Sequence, residues 1–170
     1  QSNFLLPSAL GVPRPTALAP RTMVAGDLRR DGPLLIVGFD NFKDFYPALI
    51  ADNLLAAGHV SRAASITAPG YEHEADLQAM VLARAFDNAG FRAALVARLE
   101  PLLRPGDRVG FPAVLGLADA LEAMTDLETR LGCPVFEIPT LPPSIPGMRI
   151  FTAFDRLLHA GGTRVQIGHP

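Results

Sequence analysis

Residues 34–39 read Leu-Leu-Ile-Val-Gly-Phe, "LLIVGF", six positions without a charge or a hydroxyl. A strand wetted on one face alternates apolar and polar side chains, whereas a strand covered on both faces is apolar throughout. The run therefore predicts a buried strand in a sheet carrying helices on both sides.

Downstream, the pattern alternates. Asp44 is the expected N-cap of a helix reaching about Ala57, with Pro47 tolerated in its first turn and Gly58 in the C′ position. "VSRAASITAP" (60–69) is β-branched and stops at Pro69 and Gly70, so it predicts a second strand. Residues 74–103 predict two helices, divided by the capping residues and glycine of "DNAG" (87–90) and stopped by "RPGD" (104–107). "RVGFPAVLG" (108–116) follows as the third strand. Leu121, Met124, Leu127 and Leu131 mark a helix from Ala118, ended by Gly132. "PVFEIP" (134–139) is the fourth strand, and Ile150, Phe151, Phe154, Leu157 and Leu158 keep helical spacing before Gly161 and Gly162. "TRVQI" (163–167) reads as the start of another strand.

Successive βα units imply parallel, right-handed connections, hence an α/β fold: a three-layer α/β/α arrangement around a mainly parallel sheet of about four to five strands. Residues 1–33 are rich in Pro and Gly and form a separate arm or short β-ribbon, with "PTALAP" (15–20) and "TMVAGDL" (22–28) as its expected halves. The division is thus 1–33 and 34–170. The chain has no initiator Met and reads as an excised piece of a longer protein.

Composition narrows the chemistry. Apolar residues are 49% of the chain, enough for a globular core, and no apolar run approaches the ~18–20 residues of a membrane span. Fifteen Lys and Arg against 17 Asp and Glu, without a basic stripe, argue against nucleic acid as a partner. The single cysteine, Cys133, excludes an internal disulfide and a cysteine zinc site and suits a reducing compartment such as the cytoplasm.

In a parallel sheet, ligands sit beyond the carboxyl ends of the strands. Those ends carry "GFDNFKD" (38–44), "APGYEHE" (68–74), "PAVLGLAD" (112–119) and "PTLPPSIPG" (139–147), and a domain or subunit contact there is an equal reading. No P-loop, dinucleotide fingerprint or nucleophile elbow occurs. Lys43 reads as a solvated charge, and Ser144 has no histidine spaced as a base. Glu72, His73 and Glu74 fit acids at a helix start better than a metal site, which needs three convergent ligands, so no metal is expected. His59 reads as a turn residue, His159 as a last-turn partner of a helix dipole, and Cys133 as inert. Arg14, Arg21 and Arg149 are the side chains able to clamp a phosphate or carboxylate.

"RPTALAPRTMVAGD" (14–27), "LLIVGFDNFKDFYPALIADNL" (34–54), "RVGFPAVLGLADA" (108–120) and "PVFEIPTLPPSIPGMRI" (134–150) together resemble the B subunits of anaerobic glycerol-3-phosphate dehydrogenases, within the FAD-dependent oxidoreductases. The likeness covers most of residues 10–168 and corresponds to the middle region of such chains. It implies a flavoprotein, with FAD or FMN in the longer protein and none in this piece. It also implies oxidation of sn-glycerol 3-phosphate to dihydroxyacetone phosphate, with electrons passed toward quinone through a flavin-bearing subunit and an iron–sulfur membrane anchor. The expected location is cytoplasmic, with peripheral membrane association through that partner. Arg14, Thr16, Thr140, Ser144 and Arg149 are the substrate-side candidates; no catalytic residue is carried over, and the piece alone is not expected to turn over substrate. The competing readings are a subunit-docking module without ligand and a free-standing small-molecule-binding α/β domain. Prolines 139, 142, 143 and 146 are expected to hold an extended crossing between the fourth strand, ending at Ile138, and a helix beginning near Gly147. That crossing is also a candidate hinge to a flavin domain.

Overall fold

The computed structural model describes residues 3–163. The strand predicted at 34–39 is β3 (Leu34–Phe39), and all six of its residues are buried. It lies inside a four-stranded parallel sheet of order β4-β3-β5-β6, with β4 at Ser61–Ile66, β5 at Arg108–Pro112 and β6 at Val135–Ile138. Leu34 pairs with Ser61 on one side and Arg108 on the other, and Val109 pairs with Val135. The α/β class, the parallel sheet and its four strands are as expected. The further strand expected at 163–167 falls, beyond Thr163, outside the described residues.

The helices are α1 (Pro47–Ala56), α2 (Ala79–Phe86), α3 (Ala89–Leu99), α4 (Ala120–Leu131) and α5 (Ile145–Ala160). Two boundaries match the capping chemistry. Asn88 accepts from the N–H groups of Gly90 and Phe91 to start α3, and Gly132 closes α4, which starts two residues later than the expected Ala118 because Asp119 accepts from the Glu122 N–H. Between β3, β5, α2 and α3, the rings of Phe39, Phe91 and Phe111 meet Phe86 edge to face, at centroid separations of 5.1–6.1 Å.

Other boundaries move for identifiable reasons. Asp44 is not a cap: Phe42 and Phe45 are drawn into the core, which keeps 40–46 a loop, and α1 starts after Tyr46 with Pro47 at N1. The helix predicted from Glu74 starts at Ala79, because Leu77 donates to the Asn41 carbonyl (2.6 Å) and holds the preceding segment against the β3 loop. β5 ends at Pro112, since Val114 bonds back to Pro112 and Gly116 to Val114 in two tight turns. α5 starts two residues earlier than Gly147, capped by Ser144 and admitting Pro146 in its first turn.

An N-terminal ribbon exists, but from other residues. β1 (Phe4–Pro7) pairs antiparallel with β2 (Pro13–Thr16), while Arg21–Gly26 forms a 3-10 turn that places Met23 against Leu6 and Ala113. Prolines 7, 13 and 15 limit the ribbon to four pairs. The crossing into β3 is held by Arg108, whose guanidinium donates to the carbonyls of Ala25, Asp27, Arg30 and Gly32. Burial, and then the neighbouring Arg30, lower the pKa of Arg108.

Candidate functional site

The strand order places the topological switch between β3 and β5, the position where parallel α/β domains bind ligands. Here the protein fills that position itself. Phe42, in the loop after β3, is buried in the core. On the β5 side the backbone N–H groups of Leu117, Ala118 and Asp119 converge on the Asp87 carboxylate at 3.1–3.4 Å. Gly116, with φ +92°, leaves room for this arrangement, since a Cβ there would lie 2.7 Å from Asp87 Oδ1. A nest of donors suited to an anion is thus occupied by an internal carboxylate.

An open groove lies one strand further along, where α4 and α5 begin. It has a volume of about 500 Å3 and is walled by Leu18, Pro20 and Arg21 of the arm, Leu121 of α4, and Arg149 and Ile150 of α5. Its floor is organised by Glu137 of β6, whose side chain is fully buried. Arg149 Nη1 and Nη2 donate to the two Glu137 oxygens at 2.8 and 2.9 Å, and its Nε donates to the Gly116 carbonyl at 2.7 Å. Thr22 Oγ1 donates to Glu137 Oε2 at 2.6 Å, and the Leu115 N–H donates to Oε1 at 2.8 Å. One carboxylate therefore joins the arm, the β5 loop, β6 and α5, and the charge-assisted fork gives the join a fixed geometry.

The predicted site residues do not all converge. Arg149 lines the groove, but three of its five donors are engaged, and Glu137 neutralises it. Arg21 lines the groove as an exposed guanidinium. Arg14 and Thr16 lie on β2, outside the groove, with Thr16 Oγ1 bonded to the Arg14 carbonyl. Ser144 caps α5 by accepting from Gly147, and Thr140 Oγ1 is buried without a hydrogen-bond partner among the described residues. Sequence patterns do not single out Glu137, Thr22 or Asp87 as site residues. Glu137 carries a signal nonetheless: it is the one charge inside the apolar strand "VFEI".

In the loop after β4, Glu72 accepts from Arg98 and from the Gly70 N–H, which hold its pKa down to about 2. Among the described residues no three His, Cys, Asp or Glu side chains gather as a metal would require. The Cys133 thiol is pushed up, chiefly by burial and then by Asp107 and Glu128. No helix among the described residues is long and apolar enough to cross a membrane.

Fold and site define a parallel α/β domain whose ligand edge is joined to the N-terminal arm through a buried carboxylate, Glu137, which accepts from Thr22 and pairs with Arg149. A protein-family model described as "FAD binding domain" matches residues 2–166, and the chain belongs to that family. It is similar to the probable B subunit of anaerobic glycerol-3-phosphate dehydrogenase from Halobacterium salinarum, 34% identical over 185 aligned positions that cover 99% of this chain and 42% of the relative. It is also similar to the B subunit of anaerobic glycerol-3-phosphate dehydrogenase from Vibrio cholerae, 33% identical with 76% and 31% covered. The corresponding B subunit from Pectobacterium carotovorum is 34% identical, with 81% and 33% covered. The likeness carried by residues 14–27, 34–54, 108–120 and 134–150 is therefore borne out. The chain spans between 31% and 42% of the length of these relatives. No solved structure matches it.

The described residues do not fit a flavin dinucleotide. A pyrophosphate seat needs a glycine turn and free N–H groups at the helix that follows the first strand. Here α1 opens with Pro47, which has no N–H, and the proline ring closes the approach: a Cβ on Gly38 would meet it at 2.6 Å. At α4 the carboxylates of the N-cap Asp119 and the first-turn Glu122 oppose an anion.

Proposed function

We propose that this chain is the substrate-side, or cap, portion of a longer flavin-dependent dehydrogenase that oxidises sn-glycerol 3-phosphate to dihydroxyacetone phosphate. The observation that carries the reading is a pairing. Residues 2–166 match a flavoprotein family, while their own ligand edge lacks a dinucleotide seat and instead presents a groove with an arginine at its mouth. In this reading FAD rests on other segments of the longer protein, and residues 1–33 and 34–170 act together as the arm and body of the cap. A phosphorylated substrate suits the cationic Arg21 beside apolar Leu18 and Leu121, with Arg149 held in place by Glu137. Electrons pass toward quinone through a flavin-bearing subunit and an iron–sulfur membrane anchor, which places the assembly at the cytoplasmic face of a membrane. The relatives are named as B subunits of a dehydrogenase, which supports a multi-subunit enzyme.

The test is a steady-state assay of the purified full-length assembly with a quinone analogue as acceptor, comparing sn-glycerol 3-phosphate with glycerol. Turnover of the phosphate ester and not of glycerol is expected. Absence of turnover with both would overturn the reading.

A second reading is a docking module without ligand. It is favoured by one observation, the engagement of Arg149 with Glu137 rather than with open solvent. Under it, variants of Arg21 leave kinetics unchanged and weaken assembly with the other subunits.

A further inference from the structure

An apolar stripe at helical spacing ordinarily faces the core of its own domain, yet among the described residues only Ile145 of α5 is buried. Ile150, Phe151, Phe154, Leu157 and Leu158 are all exposed, Phe154 to 61% and Leu157 to 69%. Leu18 and Leu121, beside Ile150 in the groove, extend the same surface. A contiguous set of large apolar side chains at helical spacing marks an interaction face, whereas single exposed residues do not.

A lipid surface, a separate chain, whether a second copy or another subunit, and a covalently connected partner are the chemically possible occupants, and the surface discriminates between them. A lipid surface calls for a polar face rich in Lys and Arg. α5 carries Arg149, Arg156 and His159 against Asp155, and Arg149 is engaged by Glu137, so little positive charge remains. A second copy could align the stripe with itself antiparallel about Phe154. However, stable contacts between separate chains take about 20–30 residues a side. The five side chains of α5 and two flanking leucines fall well short. A covalently connected partner needs no such area, because the tether supplies an effective concentration in the millimolar range. The curated relatives carry more than half of their length outside the region this chain matches. The N-terminal end of α5 is fixed to β6 by the fork from Arg149 to Glu137.

We propose that the Phe151–Phe154–Leu157 face of α5 is the seat of the remaining part of the same polypeptide, docked in cis. This rests on the longer-protein part of the proposed function and not on its substrate.

The experiment is hydroxyl-radical footprinting of the full-length protein encoded by the reading frame that contains residues 1–170. Tyr46, 56% exposed just ahead of α1, serves as the open reference and the buried Phe86 as the closed one. After correction for intrinsic reactivity, Phe151 and Phe154 are expected to label at the rate of Phe86 and well below Tyr46, as side chains removed from water do. That protection should persist on dilution and without lipid. Labelling at the rate of Tyr46 would overturn the proposal. So would protection that disappears on dilution, which indicates a second copy, protection seen only with anionic vesicles, or a reading frame that ends with this chain. Flavin content and turnover are not read in this experiment, so its failure leaves the dehydrogenase reading standing, and the reverse.

Discussion

Arg149 and Glu137 form a two-pronged ion pair, 2.8 and 2.9 Å long, in which the carboxylate has no exposure at all. Such a pair is worth less for its own strength than for what happens when one half is removed, because the remaining charge stays out of water.

Arg149→Ala is therefore expected to cost about 3–5 kcal/mol of stability, the range for a buried pair broken on one side. Glu137→Gln combined with Arg149→Met removes both charges and keeps an acceptor for the Leu115 N–H, so it should cost clearly less than Arg149→Ala alone. Urea unfolding of the three proteins measures this. An Arg149→Ala protein as stable as the parent would show that the pair does not hold the groove floor.

Thr22→Val removes the hydroxyl that donates to Glu137 across 115 residues of chain. A hydrogen bond to a charged group contributes about 1.5–3 kcal/mol, and Arg149 and Leu115 remain as partners, so a loss near the lower end is expected. Faster proteolysis of residues 17–26 should accompany it. Unchanged protection of that segment would mean that Met23 packing alone secures the arm.

Acid stability carries a further prediction. The pKa of Asp27 is lowered from 3.8 to about 2, first by the Arg29 guanidinium, against the opposing effect of burial, and then by the N–H groups of Arg29 and Leu5. A carboxylate with a depressed folded value contributes stability above its unfolded pKa and loses it as pH falls through the folded one. The window thus runs from about pH 4 down to about pH 2. Asp27→Asn should lower stability at neutral pH by up to about 2 kcal/mol, and the difference from the parent should vanish near the bottom of that window. A difference that stays constant across the window would remove Asp27 as the cause.

Arg21 and Arg14 separate the groove from the ribbon. Arg21 lines the groove, and Arg14 lies on β2 outside it. Arg21→Ala should raise KM for the phosphorylated substrate about tenfold in the full-length assembly, as loss of one charge-assisted contact does. Arg14→Ala should leave it unchanged. Equal effects of the two would place the anion contact elsewhere.

How much of this is legible in the sequence depends on whether a rule is local or distant. "LLIVGF" names its own environment, because an unbroken apolar run suits a strand covered on both faces, and Asn88 and Gly132 announce their caps within four residues. Arg149 is legible as a charge worth noting, but not its partner, since the fork depends on the sheet bringing β6 beside the first turn of α5. Asp87 reads as a capping residue, and only the fold shows it filling the donor nest after β5. Helical spacing identifies α5 correctly, yet periodicity alone does not say whether an apolar stripe faces the core of its own domain or another surface. The halves of the ribbon escape local reading because the pairing of Phe4–Pro7 with Pro13–Thr16 involves no alternation long enough to notice.

The central proposal is that this chain belongs to a flavoenzyme whose bound flavin is reduced by glycerol 3-phosphate. Anaerobic stopped-flow absorbance of the full-length assembly tests it most directly. Mixing with sn-glycerol 3-phosphate is predicted to bleach the oxidised flavin band, with glycerol giving no change. A full-length assembly that carries no flavin, or a flavin band untouched by saturating sn-glycerol 3-phosphate, would contradict the claim.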